Sequence, residues 1–217
     1  MSFGPIAIFS ALLVSITSAS MLILDDWRTN IGLLAVQYIG AFILVGIEWP
    51  LTLSISHLIA GWIAGAVLGM AMLSLPRPVQ QIQDIESSAV ERGPIERRLR
   101  LDSNRSPNLV FMVLTILIMA LTVFSQIPRI MDWIPGLTLS QAWGGLILIG
   151  MALLHLGFYS QPLRVVIGLL TLFTGFMILY AVVNLTPLAA ALSATITLGL
   201  ALSGAYLSLS PHMEPGE

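Results

Sequence analysis

Seven apolar runs, each close to the length that crosses the hydrocarbon core of a bilayer, leave this chain few ways to fold. Spanning about 30 Å of hydrocarbon takes roughly 20 helical residues. The runs fall near 4–24, 31–48, 53–75, 108–127, 139–158, 163–183 and 187–209. Inside lipid a segment must satisfy its own backbone N–H and C=O groups, so runs of this length are expected to be α-helices. An all-α polytopic membrane protein follows. The composition agrees, because only 9% of the residues are charged, whereas a soluble domain carries roughly 25%.

The residue inventory narrows the chemistry. There is no Cys among the 217 residues, which excludes disulfides, thiolate metal sites, iron–sulfur ligation and a Cys nucleophile. There is no Lys either, so the fixed positive charges are nine Arg, and the net charge of −2 says little about partners. The first run, from Phe3 to Leu24, has no basic residue before it and no small-residue cleavage site. It reads as a retained helix and not as a signal peptide.

Between the third and fourth runs lies the one long polar stretch, 76–107, with Arg77, Arg92, Arg97, Arg98, Arg100 and Arg105 offset by Asp84, Glu86, Glu91, Glu96 and Asp102. It separates a first three-helix unit (1–75) from a connector helix (108–127) and a second three-helix unit (128–217). The positive-inside rule makes this linker cytoplasmic. Arg28 and Arg164 then fall on the same side, and only Arg129 lies outside. The expected topology is a multi-pass plasma or inner membrane protein with its N-terminus outside and its C-terminus in the cytoplasm. Asp132 and Trp133, with Pro128 and Pro135, are expected to form an outer turn. Trp27, Trp49 and Trp133 suit the aromatic belts.

The chain also repeats itself. Arg28-Thr29-Asn30-Ile31-Gly32-Leu33-Leu34 recurs 136 residues later as Arg164-Val165-Val166-Ile167-Gly168-Leu169-Leu170, with five of seven residues identical. One apolar run precedes each Arg and two follow it. A period of this kind defines the building unit. Helices 1–3 and 5–7 form a parallel repeat, joined by helix 4, which restores the sense of the second copy.

A three-helix unit with an outside N-terminus and an Arg in its first cytoplasmic turn resembles the K-type (4L) membrane subunit of respiratory complex I. It is similar also to the C subunit of multisubunit sodium/proton antiporters. Seven helices with such a unit at the C-terminal end look like component E of hydrogenase 4. The stretch Ser160-Gln161-Pro162-Leu163-Arg164-Val165-Val166-Ile167-Gly168-Leu169, followed by Gly175, resembles the Ser-x-x-x-Leu-Arg-x-x-Ile/Phe-Gly pattern of those proteins. The resemblance covers 139–209 and, more loosely, 4–75. It implies a non-catalytic subunit of a proton- or sodium-translocating complex, packed against antiporter-like subunits, with any redox chemistry held elsewhere.

The departures are specific. Those families place a carboxylate inside the second helix of the unit and usually another acid in the third. Here the corresponding stretches read Thr171-Leu172-Phe173-Thr174-Gly175 and Ser193-Ala194-Thr195-Ile196-Thr197, without an acid. In the first copy, Ala35 to Gly46 offers only Gln37 as a strongly polar side chain. The resemblance therefore supports membership of such a complex better than it supports conduction.

Few residues qualify for an ion path. Glu48 follows Arg28 by 20 residues, or roughly 30 Å of helix at about 1.5 Å per residue. That places it at the outer interface, as an anchor or as the mouth of a path. His57, about one turn into helix 3, could pair with Glu48 across the intervening turn and relay protons, or could bond to a neighbouring helix. His155 reads as a helix-end packing residue, and two His without a second acid make a metal site improbable. Arg28 and Arg164 act as cytoplasmic anchors that snorkel to headgroups, or pair with acids of neighbouring subunits. Gly61, Gly65 and Gly69 form a small-residue stripe for close helix packing, either within the fold or against a partner.

No phosphate loop, nucleophile–base pair or dinucleotide fingerprint is present. No cofactor, enzymatic activity or nucleic-acid partner is expected; the partners are the bilayer and other membrane subunits. Two other readings stand beside the subunit. One is a stand-alone carrier, with Pro187 and the Gly144-Gly145 pair as hints of broken helices. The other is a structural component of another membrane assembly, such as a photosynthetic complex.

Overall fold

The computed structural model describes residues 4–74, 109–183 and 186–210. Among these residues the chain forms seven helices: α1 (Gly4–Ile23), α2 (Trp27–Val45), α3 (Leu51–Ser74), α4 (Leu109–Trp133), α5 (Leu139–Phe158), α6 (Pro162–Val183) and α7 (Pro187–Leu209). Each is long and apolar enough to cross a membrane, and the chain is a multi-pass membrane protein. The charged linker expected at 76–107 lies outside the described residues.

Local chemistry explains three of the seven helix starts. The Asp26 carboxylate accepts from the Arg28 N–H and caps α2. Thr138 and Gln141 form a reciprocal capping box at α5, satisfying two of the backbone groups that a helix start leaves open. Thr186 caps α7, with Pro187 in the first helical position. Pro is favoured there because its missing N–H has no helical partner anyway. Pro187 thus begins a helix; it does not interrupt one.

Helix 2 begins at Trp27, four residues before the apolar run, because the Asp26 cap recruits the polar segment Arg28–Asn30. Helix 4 passes through Pro128 and continues to Trp133, so the expected turn at Pro128 moves to 134–138. A proline removes its own N–H and crowds the carbonyl four residues back, and near the end of an exposed helix both are tolerated. Gly136, with φ of +91°, supplies the left-handed turn before α5.

Helices α1, α2 and α3 pack most closely on α5, α6 and α7 respectively, beyond their chain neighbours. All three pairs run in the same direction. Ala11 faces Gly144, and further along the Tyr159 hydroxyl donates to the Leu22 carbonyl at 2.7 Å. Leu34 clusters with Leu163, Val166 and Ile167, whereas Val45 clusters with Ile178 and Ala181. Leu53 packs beside Ala190, and Leu68 beside Ala201. Helix α4 lies outside this six-helix body, against α5. Its outer surface (Leu114, Leu117, Leu121 and Phe124) is exposed, as a lipid-facing helix requires.

Glycines set the closest crossings. A Cβ on Gly145 would meet the Gly175 carbonyl at 3.2 Å, and one on Gly175 would meet the Gly145 carbonyl at 2.8 Å. Gly144 presses on Leu44 of α2, 2.6 Å from where its Cβ would stand. The Gly144-Gly145 pair therefore serves packing in an unbroken helix. In α3, Gly61 lies directly under the Tyr38 ring, while Gly65 and Gly69 face Ile31. The stripe Gly61, Gly65, Gly69 is turned inward onto α2. Trp49 does not join an aromatic belt: it is 3% exposed, within the core formed by Leu44, Val45 and Ala190. Trp133 stays outside, 89% exposed.

Candidate functional site: a neutral polar layer and a buried arginine

The apolar core is split into two levels. One gathers Val14, Ala41, Leu44, Leu148, Met177, Ile178 and Ala190; the other gathers Met21, Leu34, Tyr38, Ala64, Leu68, Leu170 and Ala201. On three helices buried polar residues lie between these levels: Thr17 and Ser18 on α1, Thr171 and Thr174 on α6, and Ser193 and Thr197 on α7; the buried Gln37 of α2 reaches Thr171 beside them. His57 of α3 is also buried, beside Tyr38 at 5.4 Å between ring centroids.

The hydroxyls are mostly satisfied within their own helices. Thr174 donates to the Leu170 carbonyl at 2.7 Å and Thr197 to the Ser193 carbonyl at 2.8 Å. Such back-bonding lets a hydroxyl sit deep in a membrane helix. Between helices, the Gln37 amide donates to the Thr171 hydroxyl at 3.4 Å. Four buried atoms of this layer have no hydrogen-bond partner: Gln37 Oε1, the Tyr38 hydroxyl, and Nδ1 and Nε2 of His57. The Tyr38 hydroxyl faces Thr174 and Thr197 without attaining hydrogen-bond geometry to either. An unsatisfied buried polar group costs about 1–3 kcal/mol.

The structure separates the residues expected to form an ion path. Gln37 and His57 belong to this layer, but Glu48 does not; it is partly buried in the turn joining α2 to α3. Both His57 nitrogens are unpartnered, so no Glu48–His57 pair exists. The reason is geometric: His57 points inward onto Tyr38, while Glu48 remains at the helix ends. Among the described residues, the acids Asp25, Asp26, Glu48 and Asp132 all lie at helix ends or in turns. No three His, Asp or Glu side chains among them could hold a metal ion together.

A second polar centre joins the end of α1, the start of α2, the end of α5 and the start of α6. Arg164 is only 6% exposed. Its Nη2 donates to the Asp25 carbonyl at 2.7 Å and to the Asp25 carboxylate at 2.8 Å. The guanidinium also stacks on the Tyr159 ring, 4.0 Å from its centroid, and the Asn30 amide donates to the Leu24 carbonyl at 3.1 Å. Burial pushes the Tyr159 phenol above its ordinary pKa, and the Arg164 charge opposes that shift.

Arg164 is therefore not a freely snorkelling side chain: its guanidinium is held within the bundle, and the acid it pairs with belongs to its own chain. Arg28, its sequence counterpart, is exposed and lies over Trp27 at 5.2 Å. The difference follows from position 25: Asp25 closes the α1–α2 junction within reach of Arg164. His155 is buried at the end of α5 against Tyr159, 5.0 Å between ring centroids, as a packing residue would be.

Sequence reasoning missed Tyr38, Asp25, Asn30 and Tyr159. Tyr38 adjoins Gln37, and Asp25 precedes the repeated Arg by three residues, but neither spacing is a motif in itself. No family model matches the chain, and neither a curated protein nor a solved structure is significantly similar to it.

Proposed function

We propose that this chain is a non-catalytic membrane subunit of a proton- or sodium-translocating complex, of the complex I, group 4 hydrogenase or multisubunit antiporter type. The observation that carries the reading is the parallel pairing of α1 with α5, α2 with α6 and α3 with α7. It is the contact pattern expected when two copies of one three-helix unit associate side by side, with α4 restoring the sense between them. The resemblance of each unit to K-type subunits then links the body to such complexes.

The neutral polar layer favours a packing role over conduction by this subunit. Thr171, Thr174, Ser193 and Thr197 occupy the helix segments in which the resembled families carry acids, and a hydroxyl does not hold a fixed charge. The arginine-bearing ends of α2 and α6 face the cytoplasm in this reading, and the lipid-facing surfaces, α4 among them, offer sites for antiporter-like subunits. A stand-alone carrier is the second reading, favoured by the unpartnered polar atoms of Gln37, Tyr38 and His57.

Purification of the tagged chain from its native membrane in a mild detergent, followed by mass spectrometry, separates the two. Stoichiometric recovery of large antiporter-like subunits is the expected result. Recovery of the chain alone, as monomer or homodimer, overturns the subunit and favours the carrier.

A further inference from the structure

At the arginine-bearing end of the bundle, a cleft of about 280 Å³ opens between the starts of α2 and α6 and the ends of α3 and α7. Asp25, Asn30, Gln161, Arg164 and Ser208 supply its polar lining, and Met72, Leu163 and Leu207 are among its apolar residues. Two buried polar atoms on residues lining this cleft have no partner: the donor Nη1 of Arg164 and the acceptor Oδ1 of Asn30. Arg164 is 6% exposed and Asn30 is 1% exposed, so neither atom is served by bulk solvent. Beside them the Asp25 side chain, 65% exposed, engages Arg164 through Oδ1.

These features describe a complementary ligand. The free guanidinium N–H calls for an anionic acceptor, and α6 begins at the same place, where a helix start favours negative charge. The free Asn30 oxygen and the Asp25 carboxylate call for a cationic donor. Arg164 and Asp25 already neutralise one another, so a net anion would leave the site with an uncompensated negative charge, whereas a zwitterion would not. The cleft is smaller than the roughly 300–1,000 Å³ of typical ligand pockets, which suits a headgroup better than a whole lipid. It lies where helix ends meet the membrane interface, with an apolar wall for the glycerol end.

We propose that this cleft binds the headgroup of a zwitterionic phospholipid with a primary ammonium, that is, a phosphatidylethanolamine. The phosphodiester takes the Arg164 Nη1 donor, and the ammonium donates to Asn30 Oδ1 and the Asp25 carboxylate. The site is independent of the complex to which the subunit belongs.

The test is native mass spectrometry of the full chain in mild detergent. It is titrated with phosphatidylethanolamine, its mono- and dimethylated forms, phosphatidylcholine and phosphatidylglycerol of matched acyl chains, and with inorganic phosphate. Phosphatidylethanolamine is expected to bind about tenfold more tightly than phosphatidylcholine, the value of one charge-assisted hydrogen bond, with graded loss on methylation. Asp25→Asn, a change at an exposed side chain, should weaken this preference, with Asn30 Oδ1 left as the remaining acceptor, while retaining phospholipid binding. Equal binding of all headgroups, or a preference unchanged in Asp25→Asn, overturns the proposal. Inorganic phosphate that displaces the lipid at equal concentration also overturns it, because the ligand would then be a free anion.

Discussion

Substitution of Gly175 by Ala tests the packing of the bundle at its tightest backbone crossing. The added Cβ would stand 2.8 Å from the Gly145 carbonyl oxygen, 2.9 Å from Leu148 Cβ and 3.0 Å from Ile149 Cγ1. Ordinary contact begins near 3.4 Å, and the first two of these neighbours are fixed by the backbone of α5. Helices α5 and α6 must therefore separate by roughly half an ångström, and a gap of about 0.5–1 Å forfeits a quarter to a half of each dispersion contact. Packing, not burial from water, holds helices together in lipid, so nothing offsets the loss. The expected cost is about 1–3 kcal/mol, as for other overpacked cores. Gly65→Ala is the control, because the nearest atom to its Cβ is Ile31 Cγ2 at 3.8 Å. It should be neutral, or stabilising by up to about 1 kcal/mol through helix propensity. Unfolding by sodium dodecyl sulfate in mixed micelles, followed by tryptophan fluorescence, measures both. Equal stability of the two variants would refute the argument.

Arg164→Gln should destabilise by about 1–3 kcal/mol, because it removes two charge-assisted hydrogen bonds and the stacking on Tyr159. Arg28→Gln, at an exposed position, should change stability by less than about 0.5 kcal/mol in the same unfolding assay. His57→Leu replaces a buried imidazole whose nitrogens lack partners, and should leave stability unchanged or raise it by about 1–2 kcal/mol; a lower unfolding midpoint would show that the ring is satisfied by bound water. The Asp26 carboxyl is held below its ordinary value of 3.8, chiefly by the hydrogen bond from the Thr29 hydroxyl. Its capping of α2 is thus fully present above pH 3.8 and is lost as the pH falls through the lowered value. Amide exchange at Arg28 to Asn30 should accelerate over that acidic range in the wild type and be fast at neutral pH in Asp26→Ala.

The membrane-spanning character was legible because the bilayer allows one backbone solution per apolar run, and six helices lie close to their expected spans. The miss at Pro128 came from treating proline as a terminator where an exposed helix end tolerates it. Gln37 and His57 were visible as rare polar groups in apolar runs. Their neighbours Thr171, Thr174 and Thr197 were not, since a hydroxyl that bonds back to its own helix leaves no periodic trace. The Glu48–His57 pairing failed because proximity in sequence across a turn says nothing of which way each side chain faces. The fate of Arg164 was hidden for a similar reason: its partner lies 139 residues away, at the end of another helix.

The pairing of α3 with α7 bears on how the protein is made. Helix α3 is synthesised early, yet its most extensive partner, α7, is made only after three further membrane-spanning helices. Until then the side of α3 that packs on α7 waits without its final cover. Completion of the bundle thus waits for α7. A nascent chain that stops before Pro187 leaves that side of α3 uncovered within the bilayer, a feature by which membrane proteases can distinguish unfinished products from finished ones.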